Sequence, residues 1–180
     1  KGIELATGEV IGILNSDDFY SHNSVITRIA KEFENTKTDS VYGDLQYVSK
    51  DDPQKIIRNW KSEKYDPKLF LKGWMPPHPA FFVRRKFYEQ LGGFNTSFSI
   101  SADFELMLRF LYKHTISASY IPEVLVKMRT GGLSNASVTS RIKANREDRR
   151  AWKVNGLKNT PLTLIAKPLS KIAQYFKKRG

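Results

Sequence analysis

The 180-residue chain contains no cysteine, which excludes disulfides, thiolate nucleophiles and cysteine-ligated metal centres. Histidine is scarce too: His22, His78 and His114 are scattered and show no zinc-ligand spacing. No apolar run approaches the roughly 20 residues needed to cross a bilayer. Negative charge is in short supply, with 18 acids against 30 bases and a net charge of +12. The shortage is local. Residues 139–180 hold twelve of the bases against only Glu147 and Asp148, so residues 1–138 are nearly neutral. That contrast divides the chain into an expected body, 1–138, and a basic helical tail, 139–180. A tail of this kind suits an anionic surface, and composition alone leaves a solvated face equally open. The hydrophobic content of 40% and aromatic content of 12% suffice for one core. The start at Lys1, close ahead of the first expected strand, is read as a piece of a larger protein.

What is present centres on Glu9–Tyr20, EVIGILNSDDFY. Val10–Leu14 is a short apolar run without alternation, the pattern of a strand buried on both faces in a parallel sheet. It ends in Asn15-Ser16-Asp17-Asp18. Ligands of open α/β sheets bind beyond the carboxyl ends of strands, and adjacent carboxylates repel unless a cation joins them. Oxygen ligands of this kind suit magnesium or manganese on a phosphate. The same four residues also make a polar turn that caps a following helix, and both readings stand at this point.

Lys1–Gly8 reads as a helix end stopped by Gly8. Ser24 is placed to cap a helix whose Val25, Ile26, Ile29, Ala30 and Phe33 share one face. Val41–Val48 is an expected strand with Asp44 turned to solvent, and 51–73 an expected loop with one short helix. Gly73–Pro79 is rigid and presents Trp74 and His78 either to a ligand or to the core. A strand over Ala80–Val83 and a helix over Arg84–Leu91 follow, closed by Gly92-Gly93. Asp103–Leu111 has one apolar stripe, and its acids at 103 and 105 suit a helix start. Strand-like patches flank Pro122, a loop covers 129–135, and helices are expected from about Ser140 and from Pro168.

Three stretches, ATGEVIGILNSDDFY, HPAFFVRRKFYEQLGGFNTSF and SADFELMLRF, carry a resemblance when taken in order. Together they resemble the inverting nucleotide-sugar glycosyltransferases of family 2, over roughly residues 1–130. The resemblance implies an α/β, GT-A-like (Rossmann-like) mixed sheet flanked by helices. It places Asn15-Ser16-Asp17 at the family's Asp-x-Asp position, with Asp17 reaching a manganese or magnesium ion on the donor diphosphate and Asp18 supporting it. Asn15 departs from the usual first aspartate, and its amide can still bond the nucleotide. Asp103 takes the catalytic-base position with Glu105 two residues on, while Ala102 stands where an acid is frequent. Family members carry a further strand and βα unit that grip the base ahead of Lys1–Gly8. The chain is therefore expected to be the metal, acceptor and base half, inactive and poor at binding nucleotide when isolated, and prone to self-association through an uncovered sheet edge.

On this reading a nucleotide-sugar is the donor, and a glycan or lipid-linked glycan of surface polysaccharide synthesis is the acceptor. Arg129 with the amides of Gly131 and Gly132 would close on the diphosphate, or the glycines form an ordinary turn. Trp74 and His78 would meet the acceptor. The expected location is the cytoplasm, peripheral at the inner face of the plasma membrane through the tail. There Leu162, Ile165, Leu169, Ile172 and Phe176 form a stripe among lysines, which suits a membrane or the body's own surface. A haloacid-dehalogenase-type phosphohydrolase would need an aspartate nucleophile where Asn15 stands. A non-enzymatic module binding anionic membrane or nucleic acid draws on the tail charge alone, and no nucleic-acid motif accompanies it.

Overall fold

The computed structural model describes residues 1–130 and 138–158. In chain order the first elements are α1 (Gly2–Leu5), β1 (Val10–Gly12), β2 (Phe19–Tyr20), α2 (Val25–Thr36), β3 (Ser40–Val48) and β4 (Ile56–Trp60). After α3 (Lys68–Leu71) and a 3-10 turn at His78–Ala80 come β5 (Phe81–Arg84), α4 (Arg85–Leu91) and α5 (Ala102–Met107). A π-helical turn (Leu108–Lys113), β6 (Ala118–Arg129) and α6 (Val138–Val154) complete the set.

The sheet has six strands in the order β1-β5-β3-β6-β2, with β4 also paired to β3. Only β3 and β6 run parallel; the other pairs are antiparallel. One edge of β3 is shared, β5 pairing at Ser40–Tyr42 and β4 at Leu45–Val48. The other edge carries the whole of β6. Helix α2 covers one face of the sheet: Val25, Ile29 and Phe33 pack on Val41, Leu45, Phe82 and Leu125. The opposite face is covered by α4, α5, the π-helical turn and α6, which meet Tyr42, Phe81 and Val83.

Several expectations are corrected. The strand at residue 10 is three residues long, antiparallel to β5 and at the sheet edge, so it is not buried on both faces of a parallel sheet. Ile26 and Ala30 are exposed rather than packed with Val25, Ile29 and Phe33, and they line an open groove with Val10, Tyr20 and Phe82. Ser24 stands at the helix start, yet its hydroxyl bonds His22 Nδ1 at 2.9 Å instead of a backbone amide. Residues 51–73 contain strand β4 as well as the short helix. Asp44 is buried, accepting hydrogen bonds from Ser62 N at 2.8 Å and Tyr120 Oη at 2.7 Å. Burial of a carboxylate needs such partners, and the loop after β4 and strand β6 supply them.

Strand β6 runs unbroken through Pro122 because the β3–β6 register shifts there. Gly43 pairs with Ile121 and Asp44 with Val124, so Pro122, which has no N–H to give, is left out of the ladder. Gly43 faces this bulge. A Cβ on it would sit 2.5 Å from Leu125 Cδ1 and 2.9 Å from the Glu123 carbonyl, so no larger residue fits without movement.

Helix α6 starts at Val138, near the helix expected from about Ser140, and packs on the core formed by the preceding elements. Ala151 and Trp152 are buried in the core with Phe104, Leu108 and Phe110, and Trp152 meets Tyr112 edge-on at 5.1 Å. The expected apolar stripe at 162–176 lies outside the described residues.

Candidate functional site

The acidic turn is set by its flanks. Strand β2 begins one residue after Asp18 and pairs with the end of β6, Phe19 opposite Lys127. This puts Asp18 beside Arg129, whose amide donates to Asp18 Oδ1 at 3.3 Å. The other oxygen, Oδ2, accepts from Asn15 Nδ2 at 2.8 Å, and the Asp18 amide bonds the Asn15 carbonyl at 3.1 Å. Asn15 thus closes the turn, and Asp18 is buried inside it. Burial pushes the Asp18 carboxyl above its ordinary value; the Asn15 amide opposes that shift, the Asp17 charge adds to it, and Arg129 opposes it. Asp17 itself is exposed. A cation would relieve the Asp17–Asp18 repulsion. Among the described residues no three His, Cys, Asp or Glu side chains converge as a metal set, so any ion here takes most of its ligands from a bound anion or water.

Arg129 carries a second signal. Its guanidinium lies over the Phe19 ring, 5.5 Å from the centroid, and its Nε is buried with no hydrogen-bond partner among the described residues. An unpaired buried donor on a cation is costly unless an anion meets it. Gly131 and Gly132, expected to assist Arg129, lie outside the described residues.

A second group surrounds Asp103. Ser101 and Ala102 open α5, and the half-buried Asp103 carboxylate accepts from the Phe104 amide through Oδ1 at 2.7 Å. Its Oδ2 has no hydrogen bond among the described residues. His78 feels the Asp103 charge and meets Phe94 edge-on at 5.4 Å. Burial pushes the His78 imidazole below its ordinary value against the opposing pull of Asp103, which keeps the ring neutral at neutral pH.

Glu105 is placed differently. It is 2% exposed and forms a two-point ion pair with Arg109, Nε to Oε1 at 2.9 Å and Nη2 to Oε2 at 3.1 Å. Asn155, just past the end of α6, adds a bond to Oε1 at 3.0 Å. Arg109 also donates to the carbonyls of Leu91, Gly92 and Gly93. The Gly-Gly turn and the acidic helix are thus one unit, held by a single guanidinium. Trp74 stacks on Tyr65 and meets Tyr42 and Phe70 edge-on, inside the aromatic core.

Sequence reasoning passed over Glu147. Its carboxylate, on α6, accepts from Ser99 Oγ at 2.8 Å and from the amides of Ser99 at 3.2 Å, Ile100 at 2.8 Å and Ser101 at 2.9 Å. Burial pushes its pKa up, but these four donors outweigh it and hold the carboxyl down at about 2. The sign follows: the contact stabilises the fold fully above the ordinary carboxylate range and is lost only as pH falls toward 2. No sequence pattern marks it, since its partners are backbone amides of a loop nearly fifty residues away.

A mixed sheet with helices on both faces, an acidic turn beside its parallel pair and a carboxylate at a helix start define a GT-A-like transferase architecture. The chain belongs to glycosyl transferase family 2, whose model matches residues 1–92. It is 28% identical over 140 residues to the "PGL/p-HBAD biosynthesis glycosyltransferase" of Mycobacterium bovis, covering 77% of this chain and 52% of that protein. The Mycobacterium tuberculosis protein of the same description matches with the same figures. The chain therefore spans about half the length of these curated relatives. Among solved structures, S. aureus TarS in complex with UDP superposes with a TM-score of 0.58 at 11% identity, over 83% of this chain and 42% of that one. TarS in complex with UDP-GlcNAc gives 0.57 at 12%, over 85% and 43%. At these identities the likeness shows the fold.

Proposed function

We propose that the protein moves a sugar from a nucleotide-sugar donor to a glycan or lipid-linked acceptor with inversion, and that Asp103 is the catalytic base. The observation that carries this reading is the contrast between two neighbouring acids. Glu105 is consumed by Arg109 and Asn155, while Asp103 Oδ2 has no hydrogen bond among the described residues and stands near a neutral His78. An acceptor hydroxyl is a poor nucleophile at neutral pH, so a carboxylate must take its proton as it attacks. The acceptor oxygen bonds to the anomeric carbon, the bond from that carbon to the diphosphate oxygen breaks, the proton passes to Asp103, and the nucleoside diphosphate leaves. His78, as a neutral imidazole, can hydrogen-bond the acceptor.

The donor end is assigned to Asn15, Asp17 and Arg129, with Gly131 and Gly132 following in sequence. The buried Nε of Arg129, without a partner among the described residues, supports an anionic ligand there. Manganese or magnesium fits at Asp17 with Asp18 behind it; bound there, it would supply Lewis-acid stabilisation of the departing diphosphate. TarS was crystallised with UDP and UDP-GlcNAc, which supports a uridine nucleotide as the first donor to try.

No helix among the described residues is long and apolar enough to cross a membrane. The net positive charge of 139–180, with Lys143, Arg146, Arg149 and Lys153 exposed on α6, supports a site at an anionic membrane surface.

The test is a thermal-shift screen of UDP-, GDP- and dTDP-sugars with manganese on the whole protein. A donor at a hundred times its Kd is expected to stabilise by about 2.7 kcal/mol. Asp17→Ala is expected to abolish the metal-dependent part of that binding in calorimetry with UDP and manganese, without lowering Tm, because Asp17 is exposed. Unchanged UDP affinity in this variant removes Asp17 from the donor site. No stabilisation by any nucleotide-sugar removes the transferase reading.

A further inference from the structure

We propose that Glu147 is a positioning residue for the catalytic base: through α6 it fixes the backbone of residues 99–101 and so sets where the Asp103 carboxylate stands. The inference rests on the assignment of Asp103 as base.

Three amides in succession, those of Ser99, Ile100 and Ser101, point at the two oxygens of Glu147. Loop amides with no strand or helix partner must be satisfied by another acceptor, and an ionised carboxylate is the strongest available. The grip extends along one face of α6. One turn earlier, the Ala144 carbonyl accepts from Ser101 Oγ at 3.3 Å. One turn later, Arg150 donates to the Ser97 carbonyl at 3.0 Å and to Ser97 Oγ at 2.8 Å, and its guanidinium lies 4.6 Å from the Phe98 ring centroid. Positions 144, 147 and 150 recur at the three-residue interval that puts side chains on one side of a helix.

The same helix and the residue that follows it hold the segment beyond Asp103. Asn155 bonds Glu105 at 3.0 Å, and Trp152 is buried in the core that also holds Phe104. Asp103 therefore sits between two points of attachment, 99–101 before it, held by α6, and Glu105 after it, held by Asn155 just past the end of α6. Within 97–101 only Phe98 is packed in the core; Ser97 and Ser99 are exposed and Ile100 is half-buried, so the course of the backbone between Phe98 and α5 depends on the hydrogen bonds from α6. Holding a reacting group in one geometry matters because a displacement of about 1 Å can cost about 10²-fold in rate. The carboxyl's lowered pKa adds that the clamp is charged throughout the neutral range.

Glu147→Gln keeps the size of the side chain but removes the charge and presents an amide donor to backbone N–H groups. In the whole protein, release of nucleoside diphosphate from a panel of UDP-, GDP- and dTDP-sugars is expected to show kcat lowered by about 10- to 10²-fold with KM for the donor unchanged. Hydrogen exchange at Ser99, Ile100 and Ser101 is expected to quicken while β3 and β6 amides stay protected. Because Glu147 acts through Asp103, Glu147→Gln added to Asp103→Asn is expected to cost little more than Asp103→Asn alone. Ser99→Ala, which removes one donor and leaves the carboxylate charged, is expected to move kcat the same way by less. It serves if the glutamine variant loses its fold. If Asp103→Asn is damaging and Glu147→Gln quickens exchange at 99–101 without lowering kcat, the positioning role is overturned and the base assignment stands. A full additive loss in the double variant overturns it as well. If Asp103→Asn is harmless, the base assignment falls first and takes this inference with it.

Discussion

Asp103→Asn is expected to lower sugar transfer by about 10²-fold or more while leaving donor affinity and folding stability close to their starting values. Asparagine has the shape of aspartate and keeps an oxygen for the Phe104 amide, which bonds Asp103 Oδ1 at 2.7 Å, so the start of α5 should be undisturbed. What it cannot do is accept a proton from an attacking hydroxyl. Transfer kinetics give the rate, and calorimetry with UDP and manganese gives the donor affinity. The contrast is Glu105→Gln, which should lower stability first, because the glutamine amide faces the Arg109 guanidinium and Asn155 at 2.9 and 3.0 Å. A variant pair in which Glu105→Gln folds normally and loses transfer, while Asp103→Asn is mild, would move the base two residues along the helix.

The second large effect is on folding. Arg109→Ala is expected to destabilise the protein by about 3–5 kcal/mol, the usual scale for removing one partner of a buried ion pair. The Glu105 side chain is 3% exposed and that of Arg109 13%, so the abandoned carboxylate has little water to turn to. Three carbonyls, those of Leu91, Gly92 and Gly93, lose their donor in the same step. Gly92 has φ +83°, a conformation the chain must hold without help once that donor is gone. Lysine should rescue little, since a point charge cannot serve a two-point carboxylate contact and a turn together. Urea unfolding measures the loss; a change below about 1 kcal/mol would mean that the pair behaves like an exposed one.

Much of the candidate site was legible because its residues are contiguous. Asn15–Asp18 and Asp103–Arg109 are each short unbroken stretches, so spacing and resemblance could single them out without a third dimension. The expected elements α2, β3, β5 and α5 have clear periods, and the structure has them near the expected bounds. The features missed are those set by distant contact. Asp44 looks like a surface residue in its strand until Ser62 and Tyr120 arrive from other elements. Strand β4 is half exposed, and Arg58 and Asn59 in its middle blur any alternation. Val10–Leu14 has the composition of a central strand and is an edge strand in this chain, because pairing partners are not written in a strand's own residues. Glu147 lies in a highly charged helix whose sequence gives no sign of which charge turns inward.

The parallel pairing of β3 with β6 has a consequence for the order in which the chain can fold. Ser40 pairs with Ala118 and Val48 with Arg129, so the largest strand contact in the molecule joins segments far apart in sequence. Closing so long a loop costs entropy before the contact returns anything, and folds dominated by such contacts are slow. On a ribosome, which releases the chain from its amino end, Asp17 and Asp103 are both made before β6 is complete. Until β6 arrives, β3 lacks a neighbour along one whole edge and Asp44 lacks the tyrosine that satisfies it. Asp17 and Asp103 are synthesised before the strand that completes the sheet around them and gain their geometry only after it.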